Sequence, residues 1–185
     1  MQVADKNREA KGIALLAVVC AVLQLALVPN VGLGLGRANL ALVFAALVAL
    51  RFGGRAGVLA GFFAGLFFDL STTGPVGLMA FCLSVVGFAL GREERDRMAE
   101  GMSGSLVSFA AAALLVSLVY HLAMLLVGQG DSLLDAIVFR TLPTALLSIV
   151  AFVPFAWFFS RTRPSSSGFA TPHHGRGGHF SRRGL

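Results

Sequence analysis

Six apolar runs separated by short polar breaks constrain this chain more than any motif in it. They cover residues 13–28, 38–50, 56–70, 76–90, 103–127 and 133–159. A helix that spans a bilayer needs about 20 apolar residues. The fifth and sixth runs reach that with length left over to tilt. The second, third and fourth are shorter, so they extend into flanking glycines and arginines or cross where the bilayer thins. No run carries a charged face at helical period, which argues against a soluble helical bundle. Composition agrees: only 13% of residues are charged and 56% are hydrophobic, against about 25% charged in a soluble domain. The expected fold is therefore all-α and polytopic, with six transmembrane helices. Residues 1–11 read as a cytoplasmic N-terminal tail, 12–159 as the membrane domain, and 160–185 as a disordered basic tail rich in Ser, Gly, Arg and His.

The first run follows Lys6, Arg8 and Lys11, as a secretory signal would. It ends in Val28-Pro29-Asn30 without a small-residue cleavage site, so it reads as a retained helix. Basic residues then set the topology. With the amino end inside, the cytoplasmic segments hold Lys6, Arg8, Lys11, Arg51, Arg55, Arg92, Arg95, Arg97, Arg161 and Arg163. The external segments hold Arg37 alone, and loops 71–75 and 128–132 hold no Lys or Arg. A bias of ten to one that alternates at every loop favours six crossings of a membrane with both termini cytoplasmic. It also gives the net charge of +6 a topological meaning, and nucleic acid is not an expected partner.

Within the runs, Gly57, Gly61 and Gly65 recur every four residues and share one face of the third helix, and Gly87 and Gly91 repeat the spacing in the fourth. Such faces let backbones approach closely. Packing within the subunit is the first reading of this face, a homodimer contact the second, and a pore or ligand groove the third. Asp69 lies near the external end of the third helix and reads as an interfacial cap facing water or as half of an ion pair. Arg140 falls roughly 10 Å into the sixth helix, at a similar depth, so an intramembrane Asp69–Arg140 pair is expected, with Asp135 as a competitor for the arginine. Pro143 and Pro154 are kink positions in that helix. Cys20 and Cys82 read as packed thiols, and His121 as hydrogen-bonded packing. His173, His174 and His179 fall in the tail. No nucleophile–base set, H-E-x-x-H run, CxxC pair or P-loop is present, so no catalytic residue, metal or cofactor is expected.

The order of features resembles a known family. Leu50-Arg51-Phe52-Gly53, then Gly61-Phe62-Phe63-Ala64-Gly65-Leu66-Phe67-Phe68-Asp69-Leu70, then Gly74-Pro75-Val76-Gly77-Leu78, Gly87 and Gly91 are similar to the rod shape-determining protein MreD family. The run Arg140-Thr141-Leu142-Pro143-Thr144-Ala145-Leu146 is similar to one that family carries in its sixth helix, with Ser148 where many members have Asn. The resemblance covers residues 12–159 and adds Gly77 to the expected packing or partner face of Gly57, Gly61, Gly65 and Gly87. It implies a non-enzymatic membrane scaffold of the cell-wall elongation machinery. The implied partner is MreC, a single-span coiled-coil protein, and through it MreB filaments, the RodA glycosyltransferase and a class B penicillin-binding protein. It further implies a fold like the substrate-binding subunits of energy-coupling-factor vitamin transporters. A transporter subunit for a vitamin or other small molecule is therefore the competing function.

Overall fold

The computed structural model describes residues 2–33, 35–97, 101–128 and 132–161. These form six α-helices and one short β-hairpin. The helices are α1 (Gln2–Ala26), α2 (Leu40–Phe52), α3 (Gly54–Ser71), α4 (Leu78–Arg97), α5 (Gly101–Leu126) and α6 (Leu142–Arg161), and a π-helical segment, Asp135–Thr141, leads directly into α6. Strands β1 (Gly32–Leu33) and β2 (Gly36–Arg37) pair antiparallel. Gly36 is buried against Pro143 and Thr144, where a β-carbon would come within 2.5 Å of the proline ring, so the hairpin rests on the start of α6.

α2 is the central helix. Every residue from Leu40 to Ala49 is buried, and α1, α3, α4, α5 and α6 all contact it. This explains a run too short for a bilayer. Thirteen residues rise about 20 Å, less than the roughly 30 Å of a hydrocarbon core. A helix enclosed by other helices has no lipid to match, provided its ends are satisfied by protein. Asn39 caps the start, its Oδ1 accepting from the Leu42 N–H at 3.0 Å. Gly53 ends it with φ +83° and leads straight into α3.

α3, α5 and the stretch Asp135–Phe158 are each long and apolar enough to cross a membrane, while 10–26, 40–52 and 78–92 are shorter apolar helices. The outward faces carry large apolar side chains such as Leu59, Phe63, Phe81, Leu115, Leu146 and Val150, so hydrophobic groups lie outside as well as inside. The chain is a membrane protein.

Two boundaries differ from the sequence reading. α1 begins at Gln2, so the basic N-terminal segment is helical and continuous with the first apolar run. The charged segment after residue 90 continues α4 to Arg97. In both places Lys, Arg and Glu are good helix formers, so nothing in the backbone stops the helix where hydropathy ends. Residues 160 and 161 of the proposed C-terminal tail end α6, and the rest of it, with its histidines, lies outside the described residues.

Candidate functional site

The most closely built part of the molecule is the α3–α4 hairpin. Gly57, Gly61 and Gly65 are the buried face of α3, and Asp69 follows at the same four-residue spacing. Opposite lie Gly87, Leu83 and Ala80 of α4. A β-carbon at Gly57 would fall 2.5 Å from the Gly87 carbonyl oxygen, one at Gly65 would fall 2.5 Å from the Ala80 nitrogen, and one at Gly61 would collide with the Leu83 carbonyl. The two backbones therefore touch along more than two turns, from Gly57 to Gly65. Gly57, Gly61, Gly65 and Gly87 are brought together; Gly77 is not on this seam. It lies in the turn before α4 with φ +98° and has open space where a β-carbon would be. That left-handed conformation is what glycine supplies there.

Asp69 closes the seam. It is 1% exposed, and its carboxylate accepts three backbone N–H groups at the start of α4. Gly77 donates to Oδ2 at 2.8 Å, Met79 to Oδ1 at 3.2 Å and Ala80 to Oδ2 at 3.2 Å. The first turn of a helix has N–H groups without intrahelical partners and a partial positive charge. Asp69 satisfies both from the neighbouring helix. The expected water-facing cap is thus a buried cap. Among the described residues no ion pair joins Asp69 to Arg140, and the three amides occupy the carboxylate. Arg140 is half-buried in the π-helical segment, five residues after Asp135.

A second polar cluster ties the same end of the bundle together. Ser148, fully buried, accepts from the Asn39 N–H at 2.9 Å and donates to the Thr144 carbonyl at 2.7 Å. Thr144 Oγ1 accepts from the Arg37 N–H at 3.3 Å. Gln24 Oε1 accepts from the Leu40 N–H at 2.8 Å. Two helices, α1 and α6, thereby supply side chains to backbone groups around the hairpin and the start of α2. The sequence reading singled out neither Gln24 nor Asn39. The available signal was an Asn directly ahead of an apolar run, a helix N-cap pattern.

The α5–α6 side is built differently. Phe109 and Phe152 stack at 4.0 Å with planes 11° apart. His121 donates from Nδ1 to the Ser117 carbonyl at 2.8 Å, and Thr141 Oγ1 donates to the Ala136 carbonyl at 2.8 Å, beside the imidazole at 3.3 Å. Pro143 has no N–H to return to Phe139. Just ahead of it the register is widened, with the Leu142 N–H bonding back to Ile137. Cys20 and Cys82 are free and buried. Among the described residues no cluster of His, Cys, Asp or Glu could hold a metal ion.

A family model described as rod shape-determining protein MreD matches residues 10–161, which takes in the helical bundle from the third turn of α1 to the end of α6. No curated protein and no solved structure matches the chain.

Proposed function

This chain belongs to the rod shape-determining protein MreD family, and on that premise we propose that it is a non-enzymatic scaffold of the bacterial cell-wall elongation machinery. Family membership places the chain in rod-shape determination. The finer reading is that it binds an MreC-like single-span coiled-coil protein in the cell membrane, and through it MreB filaments, RodA and a class B penicillin-binding protein. The observation that carries the scaffold over a transport or catalytic role is the use made of Asp69. The buried carboxylate inside the bundle holds three backbone amides, which makes it a fastener rather than a proton carrier. The glycine seam is likewise consumed inside the subunit, so a partner or a second copy must dock elsewhere on the apolar exterior. A vitamin-binding subunit needs a pocket with convergent polar groups; the cavity between α1 and α3 has an almost wholly apolar lining.

Six crossings with both ends cytoplasmic belong to this proposal. The enclosed α2 fits it, since a shielded helix need not span the full hydrocarbon width. Reporters fused after Pro75 and after Arg97 should read external and cytoplasmic respectively; two readings on one side would sink the topology. For the function, depletion should round rod-shaped cells, and capture of the tagged protein should recover the coiled-coil partner. Unchanged shape after depletion would overturn the scaffold.

A further inference from the structure

α1 makes its extensive helix contact with α2 alone, and α3 flanks the other side of α2. A lateral cavity of about 570 Å³ remains between α1 and α3, with α2 as its floor. Its walls are small side chains at helical spacing, Ala17 and Ala21 on α1 and Ala60 and Ala64 on α3, with Phe63 at the rim. Gln24 stands at one end of this cavity, one turn from the end of α1. It is 9% exposed. Its Oε1 is fixed on the Leu40 N–H, which sets the orientation of the amide. Among the described residues its Nε2 amide has no acceptor. A buried donor left unmade costs about 1–3 kcal/mol.

We propose that this cavity binds one ester-linked fatty acyl chain of a membrane lipid, with the ester carbonyl accepting from Gln24 Nε2. Length supports an acyl chain. From Gln24 to Ile13, the far lining residue of α1, the helix rises about 16 Å. One leaflet's share of the hydrocarbon core is about 15 Å deep, and the ester group sits at its edge. The lining offers a chain dispersion contacts along its length and one hydrogen-bond donor at its end.

Native mass spectrometry of the full-length protein titrated with diester phosphatidylglycerol and with its diether analogue tests this. The wild type should hold one lipid more tightly than the rest and prefer the ester by roughly fivefold, the weight of one hydrogen bond. Gln24→Leu should bind both lipids equally. Ala60→Phe, which fills the cavity without touching the Gln24 bond, should lose the tight lipid. Equal binding of ester and ether by the wild type would overturn the proposal, as would an ester preference that survives in Gln24→Leu. A photo-crosslinking residue at position 60 that captures polypeptide in place of lipid would do the same. None of these outcomes depends on the scaffold reading.

Discussion

The α3–α4 and α5–α6 hairpins solve the same problem with opposite materials. Both must hold two apolar helices together where the surrounding lipid is as apolar as the helices, so packing and hydrogen bonds replace a hydrophobic drive. α3–α4 removes side chains: Gly57, Gly61, Gly65 and Gly87 bring main chain against main chain, and Asp69 fastens the end. α5–α6 fills the gap with them: Phe109 stacks on Phe152, and Ser117, His121 and Thr141 share a polar contact. A seam of backbone has no rotamers with which to adjust. A seam of side chains has many. The first should therefore be intolerant of added atoms and the second tolerant of exchange.

The largest expected effect is at the centre of the rigid seam. Gly61→Val places a branched side chain against the Leu83 carbonyl and should cost about 3 kcal/mol, at the upper end for overpacking. Detergent-solubilised protein should lose its monodisperse gel-filtration peak. Gly61→Ala gains about 1 kcal/mol of helix propensity yet should still be destabilised, because the obstacle is backbone. A tolerated alanine would break the comparison. Next is Asp69→Asn, which leaves one oxygen where two served three amides. It should cost about 2 kcal/mol in reversible detergent unfolding, the range for a charge-assisted bond with a donor left unmet. Exchanging Asp69 and Arg140 for one another should not restore stability, since the two never meet; recovery in the swapped protein would contradict the fastener role.

Which parts of this were legible in the sequence follows from how local the physics is. The glycine face was readable because a four-residue spacing is a property of one helix. Asp69 belongs to that same spacing, which turns it inward with the glycines, whereas the depth it shares with Arg140 carries no information about direction. The links from Asn39 to Ser148 and from Gln24 to Leu40 were not readable. They join distant segments and depend on α2 lying at the centre. Hydropathy could not reveal that position, because membrane helices are apolar on lipid-facing and buried sides alike. The helical reach of α1 and α4 into charged segments was hidden for a related reason: hydropathy marks the membrane, whereas helices end where backbone bonding ends.

On the adaptable seam, effects should be smaller. Phe109→Leu loses the stacked partner of Phe152 but keeps an apolar side chain that neighbouring rotamers can close around. A cost of about 1 kcal/mol is expected in reversible detergent unfolding, half of that for Asp69→Asn. A Phe109→Leu effect equal to the glycine substitution would mean that both seams are rigid.

The smallest effect argues the contrast most finely. Ser148→Ala removes one hydroxyl that accepts from the buried Asn39 N–H and donates to the Thr144 carbonyl. Within a helix the Thr144 carbonyl keeps a further route to bonding, so only the Asn39 N–H is orphaned. Polar contacts between membrane helices contribute about 0.6 kcal/mol on average, and a donor left buried raises that towards 1 kcal/mol. Asn39 is the cap of α2, so the change should also appear as faster amide exchange at residues 39–42, with α3 and α4 unaffected. Faster exchange spread across α3 and α4 as well would show that the glycine seam leans on the Ser148 cluster and is not held by its own backbone contacts.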